Sequence, residues 1–515
     1  MKIGRRRFVN TALAAAAGSL LPAQSLWATA ATNGEIPGEL TARGLSGKPV
    51  SLTASDVKDL RAGLRGPLLL ARDPGYDDAR LLYFRAFDRH PALIAQAMDA
   101  GDVARAVNFA RTHGLLTAVR GGGHSLAGQS VCDGGLTVDL SRMRAVDIDL
   151  QRQLARAQGG VLLGEVDRKT QAAGLATTMG TATDTGIAGL TLGGGMGRMM
   201  RSFGLTVDNL VSVDIVTADG QLRHASETEN PDLFWAIRGG GGNFGVVTDF
   251  EYRLHPLAHQ VLNGARLYPW SQARTLMVAV TELAAGAPDA LTLGIELFNN
   301  PPTGKLRSSS VPAGRYVGLK VFYAGDPQEG ERLLEPLKQL GTPLYDSVKA
   351  VSYLAAQHAV GEAPVAVPST VAEYMKTGFL YDMPAGLFDE LIRSIAALPP
   401  SLYGGVDLDQ VGGAVARVAS DATAYWNRRA TYDVMISGDW DDPSQASPNT
   451  QALDAVWKGM KHFTRGYYVN TAPGENQARV RATYGDNWPR LVQLKKKYDP
   501  GNLFSLNANI PPSSG

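Results

Sequence analysis

Between positions 121 and 242 the chain gives up its side chains in three places: Gly121-Gly122-Gly123, Gly193-Gly194-Gly195-Met196-Gly197, and Gly239 to Gly242. Glycine weakens helices and strands alike, so runs of it are kept where backbone must come close to something. Each run lies beside a strand-like or helix-like stretch. Bare N–H groups there can converge on an anion, the usual way of cradling a pyrophosphate. A tight turn accounts for any one run; several in one stretch of chain point to a large phosphate-bearing cofactor. The third run contains Gly240-Gly241-Gly242-Asn243-Phe244-Gly245, which fits the dinucleotide pattern GxGxxG. That pattern must follow a strand and open a helix. Here the helical text "NPDLFWAI" precedes it and the strand-like "VVTDFEYRL" follows, so a Rossmann site is rejected. The triphosphate loop GxxxxGK[ST] is also absent from the sequence.

The 515 residues are enough for two lobes around a large core. A net charge of +1 gives no case for nucleic acid or an anionic membrane as partner. Cys132 is the single cysteine, which rules out an intramolecular disulfide and a cysteine-based zinc site. The eight histidines are dispersed without ligand spacing, so no metal is expected. Residues 1–30 have a basic start, a short apolar run and small residues at Ala28-Thr29-Ala30. That is a secretory signal, too short for a stable membrane anchor. Its Gly4-Arg5-Arg6-Arg7-Phe8-Val9 resembles the twin-arginine export signal of bacteria. The expected partner is that export machinery and the expected location periplasmic or secreted, with general secretion as the alternative.

Residues 31–87 form a mixed N-terminal segment. From 88 to 257, strands, helices and glycine loops alternate. "AGDVARAVNFARTHG" reads as a helix with Asp102 as N-cap and Gly114 as its end. "AVDIDLQRQLARAQGG" alternates like a half-buried strand. "DNLVSVDIVTADGQLRHA" reads as a hairpin turning at Asp219-Gly220. From 258 to 460, strands ("ALTLGIELF", "RYVGLKVFYA", "ATYDVMISGDW") alternate with amphipathic helices ("GLFDELIRSIAALP", "NTQALDAVWKGMKHF"). That is an α+β pattern, a sheet with helices against it. Residues 300–312 read as an exposed loop, and 461–515 return to dense motif-like text.

Four stretches carry a resemblance: "AVRGGGHSLAGQSVCDGGLTVDLSRM", "TGIAGLTLGGGMGRMMRSFGLTVDNLVSVDIVTADG", "NPDLFWAIRGGGGNFGVVTDFEYRLHP" and "YVNTAPGENQARVRATYGDNWPRLVQLKKKYDPGNLFSLNANIPP". Together they closely resemble the berberine-bridge-enzyme-like family of the vanillyl-alcohol-oxidase (PCMH-type) flavoproteins, from about residue 75 to the end. The resemblance implies a two-lobed FAD-binding domain, with 258–460 as a substrate domain built on an antiparallel sheet covered by helices. It implies FAD as cofactor, cradled by Arg120, Gly121, Gly122, Gly123 and Ser125, with His124 bonded covalently to the flavin. Thr185, Gly186, Gly189 and Gly193, Gly194 and Gly195 are expected along the diphosphate and isoalloxazine. Val246 or Val247 is expected at the adenine, with Asn470 and Asn507 closing the site. Some relatives attach FAD a second time through a cysteine. The corresponding segment here, "GLATTMGTATDTGIAG", has none, and Cys132 reads as a small buried hydrophobe.

The same resemblance makes Tyr468, in Tyr468-Val469-Asn470, the candidate catalytic base. A phenol is a poor base at neutral pH unless its anion is stabilised, so a partner is expected nearby, with Tyr432 as candidate. In plant relatives a Glu or Gln assists from a strand before a tryptophan. Counted back from Trp440, Met435 stands there, which argues against a carboxylate-assisted route. Trp235 and Trp440 read as core. The implied activity is oxidation of a small molecule (alcohol, sugar or secondary metabolite) by hydride transfer to flavin, with oxygen or another acceptor. A flavin-binding protein without turnover is the alternative.

Overall fold

Three larger sheets organise the computed structural model, which describes residues 36–84, 87–300, 313–358, 372–440, 442–471 and 474–513. The export signal and the loop read at 300–312 lie outside these residues, except for Asn300. Among the described residues no group of His, Cys, Asp and Glu is arranged to hold a metal. None of their helices is long and apolar enough to cross a membrane.

The first sheet runs Leu68–Leu69, Leu93–Gln96, Leu136–Asp139, Thr117–Arg120, and its last three strands are parallel. Parallel neighbours need a crossover, which the helix Ala100–His113 provides. Its N-cap is Asp99, not the expected Asp102: the Asp99 carboxylate accepts from the Asp102 N–H at 3.0 Å. Asp102 sits inside the first turn, fully buried, and accepts the N–H groups of Arg65, Gly66 and Met98. A side chain engaged by two donors from a neighbouring loop and one from just before its own helix is not free to cap. Gly114 ends the helix in the left-handed region, as expected.

The second sheet is antiparallel, in the order Leu222–Ser226, Leu210–Val216, Val246–Arg253, Leu154–Gln158, Val146–Asp149. The hairpin at Asp219-Gly220 forms as read. The run expected as one strand at 145–160 is instead a second hairpin, Val146–Asp149 against Leu154–Gln158. Gln153, at φ 51°, makes the turn without a glycine, which is why it left no signal.

The third sheet is antiparallel and spans Tyr345–Asp346, Gln260–Pro269, Arg315–Tyr323, Leu291–Asn299, Tyr403–Gln410, Tyr432–Trp440 and Ala372–Leu380. Alternation sends Leu293, Ile295, Val317, Leu319, Leu408 and Ile436 to one face. They pack there against the helices Ala273–Gly286, Leu387–Ala396 and Ala446–Met460. Each such buried side chain contributes about 1.5–3 kcal/mol. The opposite face carries Lys320, Asp407, Asp409 and Asp433, and it fronts the cleft described below. The architecture is α+β, as the sequence implied.

The chain then returns to the second sheet. Tyr484, Trp488 and Leu491, from the helices Gln477–Tyr484 and Trp488–Tyr498, join the core that holds Phe234, Phe244 and Phe250. Lys495 is 0 % exposed; its Nζ meets Asp499 Oδ2 at 2.7 Å and donates to the carbonyls of Asn243 and Phe504. Asp499 in turn accepts the N–H groups of Leu503 and Phe504. This network ties the last helix to the third glycine loop. Removing one partner of a buried pair costs about 3–5 kcal/mol, because the other charge is left unpaired. Lys495→Ala should lose about that much in denaturant unfolding, whereas Lys496→Ala, at the exposed neighbour, should stay within about 0.5 kcal/mol.

Candidate active site

A cleft opens where the first two sheets meet. Its wall takes Gly121, Gly122, Gly123, His124 and Ser125 from the loop after Thr117–Arg120, and Thr185, Gly186 and Gly189 from the turn before Gly193. Val246 and Val247 line it from the second sheet, and Tyr468, Asn470 and Asn507 from the C-terminal segment. Gly122 and Gly186 clasp the two loops: a Cβ on Gly122 would lie 2.4 Å from Gly186 N, and one on Gly186 only 2.3 Å from Gly122 N. Gly189 is the opposite case: it is exposed, and a Cβ there would meet nothing within 4 Å. The buried Oδ1 of Asn507 and Nε2 of His124 have no hydrogen-bond partner among the described residues. Backbone room beside unspent polar atoms fits a long, polar, phosphate-bearing group such as FAD.

Four expected cofactor residues lie elsewhere. Arg120 is absent from the wall; it pairs with the buried carboxylate of Asp139 at 3.2 Å and lies behind Gly123, bracing the loop. Gly193, Gly194 and Gly195 face protein. Their Cβ positions fall 2.2 Å from Asn470 Oδ1, 2.7 Å from the Tyr425 ring and 2.1 Å from Thr206 Oγ1. Side chains of this chain fill the space beside these glycines. Cys132 is buried away from the cleft, and burial pushes its thiol up to about 11.

His124 lies flat against Tyr83, with ring centroids 4.2 Å apart and planes at 23°. Tyr83 is fixed there by its N–H to the Gly123 carbonyl. Burial pulls the imidazole below its usual range, and Asp184, whose Oδ1 lies 3.6 Å from Nε2, opposes that. Burial thus favours the neutral ring, which is the nucleophilic form.

Tyr468 is 5 % exposed, and its phenol oxygen accepts three N–H donors. These are the backbone of Gly195 at 3.2 Å, the backbone of Met196 at 3.0 Å and Asn470 Nδ2 at 2.9 Å. Asn470 Nδ2 also reaches the Leu190 carbonyl at 2.9 Å, which fixes its orientation. Gly195, at φ 80°, turns both backbone donors toward one point. Burial pushes the phenol up to about 12, while the N–H donors work in the other direction. The expected partner Tyr432 is not among them: it sits in the core between the third sheet and its helices. Backbone amides and an asparagine take that role, and no sequence pattern reports amides.

The open face of the third sheet meets this point, since Thr471 Oγ1 lies 3.5 Å from Thr377 Oγ1. Met435 is on that face, but carboxylates flank it: Asp407 is its register partner, and Asp433, two residues back, pairs with Asp409. Lys320 Nζ is shared by Asp409 at 2.6 Å, Asp407 at 3.0 Å and Glu296 at 3.8 Å. Burial works against its charge, yet these carboxylates hold it well above the usual amine range. Asp433 Oδ1 is buried with no hydrogen-bond partner among the described residues. Burial pushes its carboxyl up to about 8, with Asp409 adding to the shift. Sequence reading missed Asp433, although strand alternation places it beside Met435. Trp235 and Trp440 are core, as read.

Residues 91–226 match the family model described as an FAD binding domain, and residues 467–511 the model described as berberine and berberine like. An uncharacterized FAD-linked oxidoreductase of Bacillus subtilis (strain 168) is 31 % identical over 457 residues, 87 % of this chain and 97 % of its own. The (R)-6-hydroxynicotine oxidase of Paenarthrobacter nicotinovorans is 28 % identical over 87 % of this chain and 97 % of its own. Among solved structures, the xylooligosaccharide oxidase of Myceliophthora thermophila C1 superposes with a TM-score of 0.78 at 25 % identity, covering 89 % of this chain and 100 % of that one. The chain thus belongs to the berberine-bridge-enzyme-like FAD-linked oxidoreductases of the PCMH/vanillyl-alcohol-oxidase flavoprotein family.

Proposed function

We propose that this FAD-linked oxidoreductase is an exported oxidase, with FAD bonded to His124, that removes a hydride from a C–H bond of an alcohol, sugar or secondary metabolite. Oxygen is the acceptor in this reading and hydrogen peroxide the product. The observation that carries it is the three-donor shell around the Tyr468 oxygen, set between the cleft and the open sheet face. The activities of two relatives, a hydroxynicotine oxidase and a xylooligosaccharide oxidase, support oxidation of small polar molecules.

Bound FAD supplies a hydride acceptor, N5 of the flavin ring. The residues of the chain do the rest. The clasped glycine loops exclude side chains from one wall. Tyr468, once ionised, takes the substrate proton on an oxygen whose negative charge the three N–H donors stabilise. The carboxylates around Lys320 face the substrate side and orient polar groups there. A second reading gives the proton to Asp433, whose buried oxygen has no partner among the described residues.

The two bases differ in pH dependence, because each works only when deprotonated. With Tyr468 at about 12, flavin reduction in anaerobic rapid mixing should climb through pH 10 without levelling, at about tenfold per unit. A rate that levels above about pH 8 assigns the base to Asp433 instead. Tyr468→Phe should keep the flavin spectrum and slow reduction by about 10²–10⁴-fold. Admitting air should restore the oxidised spectrum and yield peroxide; a flavin that stays reduced marks a dehydrogenase with another acceptor.

Covalent attachment is read from a denaturing gel. The wild-type band should fluoresce and His124→Ala should not; fluorescence surviving in the variant places the link elsewhere. Export by the twin-arginine route predicts that replacing Arg5 and Arg6 together by lysine leaves unprocessed, flavin-loaded protein in the cytoplasm. Normal processing of that variant would indicate general secretion.

A further inference from the structure

We propose that Asp184 is the positioning residue for flavin attachment: it holds the proton of His124 on Nε2, so that Nδ1 presents its lone pair to the flavin. The inference rests on the covalent reading above and assigns it a second residue. Three observations converge on it. Asp184 Oδ1 lies 3.6 Å from His124 Nε2. Both atoms are buried, and neither has a hydrogen-bond partner among the described residues. Tyr83 stacks on one face of the imidazole and so fixes the plane in which Nε2 and Asp184 meet.

The loop clasp sets this separation. Gly122 lies two residues before His124, and Gly186 two residues after Asp184. Their backbones meet too closely for any Cβ, so the imidazole and the carboxylate are carried toward each other as the loops lock. A buried carboxylate oxygen without a donor is costly, and a positively charged ring would satisfy it. The imidazole becomes such a ring while Nδ1 bonds to carbon.

The bond forms between Nδ1 and the methyl carbon at position 8 of the isoalloxazine. The imidazole gives up its Nε2 hydrogen as a proton, toward Asp184, and the methyl group gives up one hydrogen. The two electrons released leave with two protons on oxygen, as hydrogen peroxide. Asp184 is not consumed; it fixes the tautomer before the bond forms and faces the charge that develops on the ring.

The test follows covalent loading of the full-length chain during incubation with FAD in air. Flavin fluorescence of the denatured band is divided by total bound flavin. Asp184→Asn and Asp184→Ser should bind FAD as the wild type does and attach it at least about tenfold more slowly, whereas Asp184→Glu, which keeps the carboxylate, should attach within a few-fold of wild type. Attachment by Asn and Ser variants within twofold of wild type would overturn the inference. So would a Glu variant as slow as the Asn variant, or neutral variants that no longer hold FAD, since Asp184 would then be structural. A wild-type chain whose flavin is wholly released by acid fails the covalent reading itself, as does covalent flavin in His124→Ala. Those results are distinct from unslowed Asp184 variants on an intact His124 link.

Discussion

The site depends on a contact that only hydrogen atoms allow. Gly122 and Gly186 bring two loops from distant parts of the chain into backbone contact. Any Cβ at either position would overlap a main-chain nitrogen, and main chain in two anchored loops does not yield as a side-chain end does. The first loop is braced from behind by Arg120 on Asp139, the second by the bridge between Leu162 and Gly186. With both sides braced, the clasp fixes where His124, Ser125 and Thr185 stand. The places of His124, of the glycine wall and of the Asp184 carboxylate are consequences of one close approach.

Tyr468 shows the same economy in the surroundings of a single phenol oxygen. Its oxygen sits in a dry place, which disfavours the anion, and on three N–H donors, which favour it. Donors fixed by the main chain need not reorganise when charge appears, and that is how preorganised sites act. The Gly193–Gly195 run is spent on this task. Its side-chain-free backbone makes space for Asn470, Tyr425 and Thr206 and aims two amides at one phenol.

The glycine runs, the histidine and the tyrosine were legible in the sequence because their residue types are uncommon in such order. Three strands of the third sheet, Leu291–Asn299, Arg315–Tyr323 and Tyr432–Trp440, and the helices Leu387–Ala396 and Ala446–Met460 were legible from alternation and amphipathic spacing. What was lost is instructive. A string of letters cannot say whether a glycine faces a cofactor or its own protein, so Gly121–Gly123 and Gly193–Gly195 looked alike. Asp102 looked like a cap because the three N–H donors that claim it come from residues 65, 66 and 98, two of them far away in sequence. Met435 concealed Asp433, although every second residue of a strand shares a face. Asp407 and Asp409 needed the register of a neighbouring strand, which no local pattern carries.

The buried Lys495 network and Tyr468 both lie beyond residue 460, while the loops they contact lie at Asn243 and at Gly195 and Met196. On a ribosome the clasp of Gly122 and Gly186 can form early, but the far wall of the cleft does not yet exist. Contacts of such sequence separation are the last that a growing chain can make. The half-built cleft must therefore persist, glycine loops uncovered, until residues 468–499 have been made. Cofactor capture then waits on residues 468–499, and a chain cut short before them would have its third sheet complete and no closed place for a flavin.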